Sequence, residues 1–303
     1  MSCRIAFLCA ALSLFALACG CSRSGPRQLT FGQFAERAPD WSPDGTKIVF
    51  SSKQRSNGDL FLLDLATGTT SQLTASDAAD DCPAWAPDGT RVAFHSDRWG
   101  NSDIYVVDIA SGKVRRLTDF LGVDGFPTWS PDGQRIAFQS GSEERTSLWV
   151  MNSDGKMKLP LTAGEANDST PSWSPDGNYI AFARDAGAGA DIWLLELSTE
   201  RLIRLTHDPL PEWRPRWSPD GKTIAYIRAS PEGWASIWTI SADGTNPRPV
   251  TRGYGSLPAD LARQLLALPG PHGDLDPAWS PDGSRLVFES DRAGNPDLWI
   301  VRL

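Results

Sequence analysis

Little in this chain of 303 residues can serve redox or metal chemistry by composition alone: it has three His, three Met and five Cys. Four of the cysteines, Cys3, Cys9, Cys19 and Cys21, crowd the N-terminus, which leaves Cys82 alone in the body. One body cysteine cannot build a disulfide framework, and without a Cys-x-x-Cys pair there is no thiolate zinc motif; Cys82 reads as a small buried hydrophobe beside a strand. Basic charge is also short. The net charge of −8 excludes the concentrated basic surface that nucleic-acid binding needs. No run of eighteen apolar residues occurs, so no span of a membrane is expected once a leader is removed. Gly-x-Ser-x-Gly, His-Glu-x-x-His and phosphate-loop patterns are missing, and His95, His207 and His272 fall at unrelated places, so no catalytic residue is assigned.

The first 21 residues read as a leader. Arg4 precedes an apolar run from Ile5 to Ala18, the length of a signal-peptide core. It ends in Ala18-Cys19-Gly20-Cys21, where a small residue before a Cys resembles a bacterial lipobox; either Cys19 or Cys21 is then the acylated residue. The expectation is export to the bacterial periplasm or outer envelope, with contact to the membrane only through the lipid. Residues 22–26 form a short linker before residues 27–303.

What is abundant is Trp (13) and Pro (23), and both are periodic. Trp-Ser/Ala-Pro-Asp-Gly begins at Trp41, Trp85, Trp129, Trp173, Trp217 and Trp279, at spacings of 44 four times and then 62. A Leu/Val-Thr pair recurs at Leu29-Thr30, Leu73-Thr74, Leu117-Thr118, Leu161-Thr162, Leu205-Thr206 and Val250-Thr251. Each repeat holds four strands. In the second, Pro83-Ala84-Trp85 is a short first strand, 91–95 a second, 103–108 a third and 114–118 a fourth, with tight turns between them that make neighbours antiparallel. Phe50, Phe94, Phe138, Phe182, Tyr226 and Phe288 stand nine residues after each Trp, and Phe61, Tyr105, Trp149, Trp193, Trp238 and Trp299 follow 20 or 21 residues after it. Such a lattice fills the gaps between stacked sheets. The last repeat stops at Leu303 after its third strand, while Arg27-Gln28-Leu29-Thr30 has no repeat of its own and can supply the fourth. The expected fold is an all-β, six-bladed β-propeller closed by that N-terminal strand.

The Trp-Ser-Pro-Asp-Gly turns, Ile-Ala-Phe second strands and Asp-Ile/Leu-Tyr/Trp third strands resemble the PD40 (WD40-like) repeats of the TolB family, over residues 27–303. The resemblance implies a non-catalytic envelope binding or scaffold protein, working as a monomer or within a complex, with a peptidoglycan-associated lipoprotein as one conceivable partner. It departs from TolB, which carries an α/β domain before its propeller and is not lipid-anchored. A carbohydrate- or peptide-acting enzyme with a channel site, and a structural subunit of an envelope complex, remain as alternatives.

Two features could carry binding. Five residues before each Trp stands an acid: Glu36, Asp80, Asp124, Asp168, Glu212 and Asp274, each just before an innermost strand. They either accept backbone N–H bonds in their own crossover loops or form a ring at one channel mouth for a basic peptide or a divalent cation; no other cofactor is expected. The second feature is the long loop 252–275. Residues 256–268 read as a short helix with Leu261, Leu265 and Leu268 on one face, either a lid on its own blade or a partner-contacting element.

Overall fold

The computed structural model describes residues 25–54, 57–142, 145–253 and 272–303. Every regular element of length among them is a strand, and the repeats set the topology. The first repeat forms an antiparallel sheet of β2 (Glu36–Trp41), β3 (Lys47–Ser52), β4 (Asp59–Asp64) and β5 (Thr70–Gln72). The second forms β6 (Asp80–Trp85), β7 (Arg91–Ser96), β8 (Asp103–Asp108) and β9 (Val114–Arg116). The third and fourth give β10 (Val123–Trp129) to β13 (Leu159–Pro160) and β14 (Asn167–Trp173) to β17 (Arg201–Arg204). The fifth, β18 (Glu212–Trp217), β19 (Thr223–Ala229), β20 (Trp234–Ser241) and β21 (Arg248–Pro249), is joined to the sixth in one larger sheet. The sixth contains β22 (His272–Trp279), β23 (Arg285–Ser290), β24 (Asp297–Arg302) and, on its outer edge, β1 (Arg27–Gln28). The join is a short parallel pairing of Trp234 with His272 and Ala235 with Gly273. A Cβ at Gly273, whose φ is +112°, would collide with the Ala235 carbonyl, so this close approach requires glycine.

The sequence landmarks have definite jobs. In the turn, Ser42 Oγ donates to Asp44 Oδ1 at 2.6 Å and Gly45 takes φ +71°, a region open to Gly without a Cβ clash. The proline of one turn lies where a Cβ on the next turn's glycine would meet it: Pro43 at Gly89, Pro87 at Gly133, Pro131 at Gly177, Pro175 at Gly221, Pro219 at Gly283, and Pro281 at Gly45. The Thr of each Leu/Val-Thr pair accepts a third-strand N–H through Oγ1: Leu60 N–H on Thr74 at 3.0 Å, Ile104 on Thr118 at 2.8 Å, Leu298 on Thr30 at 2.9 Å. Thr30 thus does for β24 what Thr118 does for β8, and Arg27 pairs with Ile300.

The aromatics pair across second and third strands in register, Phe50 with Phe61, Phe94 with Tyr105 and Phe288 with Trp299. Phe50, Phe94, Phe138, Phe182 and Phe288 are fully buried, each contributing about 1.5–3 kcal/mol of burial energy. The cores lie between sheets. One cluster joins Trp41, Phe50 and Phe61 of the first repeat to Val287 and Leu298 of the sixth. Another joins Val49 and Leu60 of the first to Trp85 and Phe94 of the second.

The inner strands are longer than expected. β6 begins at Asp80 rather than Pro83, and all six acids lie within their strands instead of before them. The reason is a bulge: register shifts between Arg37 and Asp40, Asp81 and Ala84, Gly125 and Thr128, Ser169 and Ser172, Trp213 and Arg216, and Leu275 and Ala278. Proline, which cannot donate to a ladder, occupies each bulge at 39, 83, 127, 171, 215 and 277, and pairing resumes beyond it.

Candidate functional site

The bulges decide which side chains of the inner strands meet. The residue before each bulge proline has positive φ: Ala38 (+47°), Cys82 (+49°), Phe126 (+53°), Thr170 (+52°), Arg214 (+54°) and Asp276 (+51°). In a regular strand successive side chains alternate between faces; the bulge breaks the alternation and re-aims these side chains. They meet. Arg214 forms an ion pair with Asp276, its Nη1 lies 3.8 Å from Cys82 Sγ, and its guanidinium stacks 4.6 Å from the Phe126 ring centre. The Arg214 N–H donates to Thr170 Oγ1 at 3.3 Å. Side chains from the second, third, fourth and sixth repeats thus converge on one arginine of the fifth.

A second tier surrounds this contact. Ser51, His95, Gln139 and Glu289, each one residue after a second-strand aromatic, reach the inner strand of the following repeat. Ser51 Oγ donates to Asp81 Oδ1 at 2.6 Å, His95 lies 5.7 Å from the Phe126 ring centre, Gln139 Oε1 accepts from the Thr170 N–H at 3.2 Å, and Glu289 faces Arg37 at 3.6 Å. Burial governs the charge states. It pushes the Glu289 carboxyl up to about 8, with nearby Asp276 adding to the rise against Arg37 and Arg214. Burial also raises Asp276 despite its arginine partner. It lowers His95 against the pull of Asp81. At Asp81 burial would raise the carboxyl, but His95, the Ser51 bond, the Cys82 N–H and Arg214 outweigh it and hold the group below its ordinary value. Burial and then the Asp81 charge push the Cys82 thiol well up, so Cys82 is not an activated thiolate nucleophile.

The six acids are all buried, none more than 5% exposed. Three meet an arginine of their own repeat: Arg98 Nη2 lies 2.7 Å from both Asp80 oxygens, Arg184 Nε lies 2.9 Å from Asp168 Oδ1, and Arg292 contacts Asp274. The other three face threonines of the Leu-Thr pairs, Glu36 with Thr30, Asp124 with Thr118 and Glu212 with Thr206. Burial raises these three, Glu36 and Glu212 to about 7 and Asp124 to about 6. A separate group of charges, Arg37, Asp81, Arg214, Asp276 and Glu289, gathers around the Arg214 contact. Sequence reasoning missed these because the repeat carries different residue types at their positions. The available signal was the proline two places before every Trp, which marks the residue that a bulge re-aims.

The crossover face presents apolar side chains. Phe31 is 78% exposed, Trp99 71% and Leu121 fully exposed, with Phe34 and Val123 less so. Phe31, Phe34 and Leu121 sit in loops that enter inner strands, Trp99 in a loop from second to third strand, and Val123 begins β10. Asn101 Nδ2 donates to Phe120 O at 2.8 Å and Gly122 O at 2.9 Å, holding the Trp99 loop against the Leu121 loop. Asn295 Nδ2 donates to Phe34 O at 2.8 Å in the same way. Between these corners lies a 170 Å³ cavity lined by Arg37, Ser51, Lys53, Asn57, Asp80 and Asp81 among others. Leu261, Leu265 and the helix expected at 256–268, like Cys19 and Cys21, lie outside the described residues.

The TolB β-propeller (PD40) family model matches residues 24–119 and 117–262. No curated protein sequence matches the chain. Among solved structures, a putative TolB from Agrobacterium tumefaciens is similar with a TM-score of 0.72 and 22% identity, over 91% of this chain and 93% of that one. TolB from Acinetobacter baumannii follows at a TM-score of 0.64 and 26% identity; 72% of this chain is covered, and the match spans 55% of the Acinetobacter chain. An oligogalacturonate lyase from Vibrio parahaemolyticus shares the fold at a TM-score of 0.61 and 16% identity, over 91% and 93% of the two chains. With the family model running through five of the six repeats, the chain belongs to the TolB β-propeller (PD40) family.

Proposed function

We propose that this chain is a six-bladed, closed β-propeller of the bacterial envelope that binds a protein or peptide partner on its crossover face and performs no catalysis. Closure is supported by the cycle of neighbouring turns, in which Pro281 of the last lies where a Cβ on Gly45 of the first would meet it, and by the matching roles of Thr30 and Thr118. Export, with acylation at Cys19 or Cys21, is supported by the leader-like start of the sequence.

The observation that carries the binding reading is the exposure of Phe31, Phe34, Trp99, Leu121 and Val123 on one face. Large apolar groups clustered in solvent mark an interaction surface. The Trp99 loop has a counterpart: 96–101 reads Ser-Asp-Arg-Trp-Gly-Asn where 290–295 reads Ser-Asp-Arg-Ala-Gly-Asn. Both arginines bind the acid of their own repeat and both asparagines hold the adjoining loop. The tryptophan is therefore not needed to build this loop, since Ala293 serves in the other copy. An aromatic-rich or aliphatic peptide segment fits the corners, and the intervening cavity, lined by Arg37 and Lys53 with Asp80 and Asp81, offers it polar partners of both signs.

Photo-crosslinking from position 34, which leaves Trp99 and Leu121 free to be varied, tests this in the native envelope. A stoichiometric protein complex that is lost in the Trp99→Ala/Leu121→Ser variant and kept in Met157→Ser/Leu159→Ser, exposed residues away from this face, is expected. A complex insensitive to the first pair, or turnover of an oligosaccharide or peptide by the purified chain, would refute it.

A further inference from the structure

Three side chains of the second repeat form a cluster of which the binding reading uses only Asp81, in the wall of the cavity between the apolar corners. Asp81 and Cys82 adjoin in β6, and His95 is the registered partner of Asp81 in β7. Adjacent residues of a regular strand point to opposite faces, but the positive φ at Cys82 re-aims its side chain. A carboxylate oxygen of Asp81, the Cys82 sulfur and a ring nitrogen of His95 consequently lie within 4.8 Å of one another. His95 Nδ1 is buried and has no hydrogen-bond partner among the described residues. A buried imidazole nitrogen left unmatched calls for a partner, and a metal ion can be one.

We propose that Asp81, Cys82 and His95 bind a zinc ion beside the propeller axis. One sulfur, one nitrogen and one oxygen donor suit a borderline-soft ion in tetrahedral geometry and leave a fourth position for water or a ligand; the Cys82 thiol, neutral without the metal, releases its proton to solvent as the sulfur–zinc bond forms. The set is poor for calcium or magnesium, which need several oxygens. Zinc bond lengths of about 2.0–2.3 Å require the donors to draw together by roughly 1 Å, within reach of side-chain rotation. Ser51 Oγ already holds Asp81 Oδ1, an outer-sphere bond that orients the carboxylate. Arg214, beside Cys82, opposes a second cation; its charge is met by Asp276. The site differs from a cation held by the six acids, because neither Asp81, Cys82 nor His95 belongs to that set.

The test uses the full chain carrying Cys3→Ser, Cys9→Ser, Cys19→Ser and Cys21→Ser, in which Cys82 is the sole thiol. After chelator treatment it is titrated with zinc chloride and, separately, cobalt chloride. One zinc per chain is expected, together with a thiolate-to-cobalt charge-transfer band and a melting temperature raised by zinc. His95→Gln and Asp81→Asn, checked for folding by their metal-free melts, are each expected to weaken zinc binding by at least roughly 10–100-fold, the loss seen when even an outer-sphere partner is removed. His207→Gln, at a distant position, leaves it unchanged. Absence of the band, substoichiometric zinc, or binding indifferent to both His95→Gln and Asp81→Asn would overturn the assignment. The band in the parent chain stands as a readout even if a variant fails to fold.

Discussion

Arg214 and Cys82, 132 residues apart in the chain, meet with Nη1 and Sγ 3.8 Å apart. They stand on the inner strands of the fifth and second repeats, so their contact brings together strands three repeats apart. The arginine is held by Asp276 and flanked by Phe126 and Thr170, which makes it the element on which the inner strands depend.

Removing that guanidinium leaves a buried carboxylate without its counter-ion. Arg214→Met is expected to cost about 3–5 kcal/mol by denaturant unfolding, whereas Arg214→Met with Asp276→Asn recovers a large part of the loss. Asn tolerates the positive φ of position 276 better than most residues, so the second change adds little backbone strain. Equal stability of the single and double variants would contradict the pairing.

Glu212 gives a pH dependence with a definite sign. Its folded-state value, raised by burial to about 7 from 4.5, means that the unfolded chain ionises first as pH rises. Stability is therefore unaffected below about pH 4.5, falls between about 4.5 and 7, and stays lowered above that. Glu212→Gln removes the penalty: melts at pH 8 are expected to rise by about 1–3 kcal/mol, with little change at pH 4. A gain of the same size at both pH values would mean that ionisation is not the cause.

Thr118 and Thr30 allow the joining of the chain ends to be weighed against an internal repeat. Thr118→Val deprives the buried Ile104 N–H of its acceptor, at a cost of about 1–3 kcal/mol. Thr30→Val does the same at Leu298 and is expected to cost a similar amount by thermal or chemical unfolding. A silent Thr30→Val beside a costly Thr118→Val would place the N-terminal segment outside the cooperative unit.

Two glycines separate backbone strain from contact. Gly68 and Gly133 have φ values of +71° and +68°, but a Cβ at Gly68 meets nothing within 4 Å while one at Gly133 would lie 3.3 Å from Pro87. Gly68→Ala is expected to cost about 1–2 kcal/mol from strain alone. Gly133→Ala, measured by the same unfolding experiment, should cost more, because it also presses on the neighbouring turn.

The fold could be read from the chain because its determinants are local and repeated. Turn chemistry at Pro43-Asp44-Gly45, the alternation through Phe50 and the accepting hydroxyl of Thr30 act over a few residues, and six copies in phase reinforce each reading. The six acids were legible as a pattern for the same reason, but their surroundings were not. Whether Asp80 meets solvent or Arg98 depends on where the loop after β7 folds back, eighteen residues away. The apolar corners also escaped notice, since Phe31, Trp99 and Leu121 look like further members of an aromatic and aliphatic core until exposure separates them.

The sequence alone determined the strands, their turns and the order in which they pair, since each follows from short-range sterics and hydrogen bonding. Only the tertiary structure decided what gathers at the axis. Ala38, Cys82, Phe126, Thr170, Arg214 and Asp276 hold one position of the repeat, marked by the proline that follows each, but they share no chemistry, so periodicity gives the position and not what meets there. They become neighbours because a proline bulge turns each inward and because packed sheets bring distant strands together; the charge of Arg214 acquires its partners through space rather than along the chain.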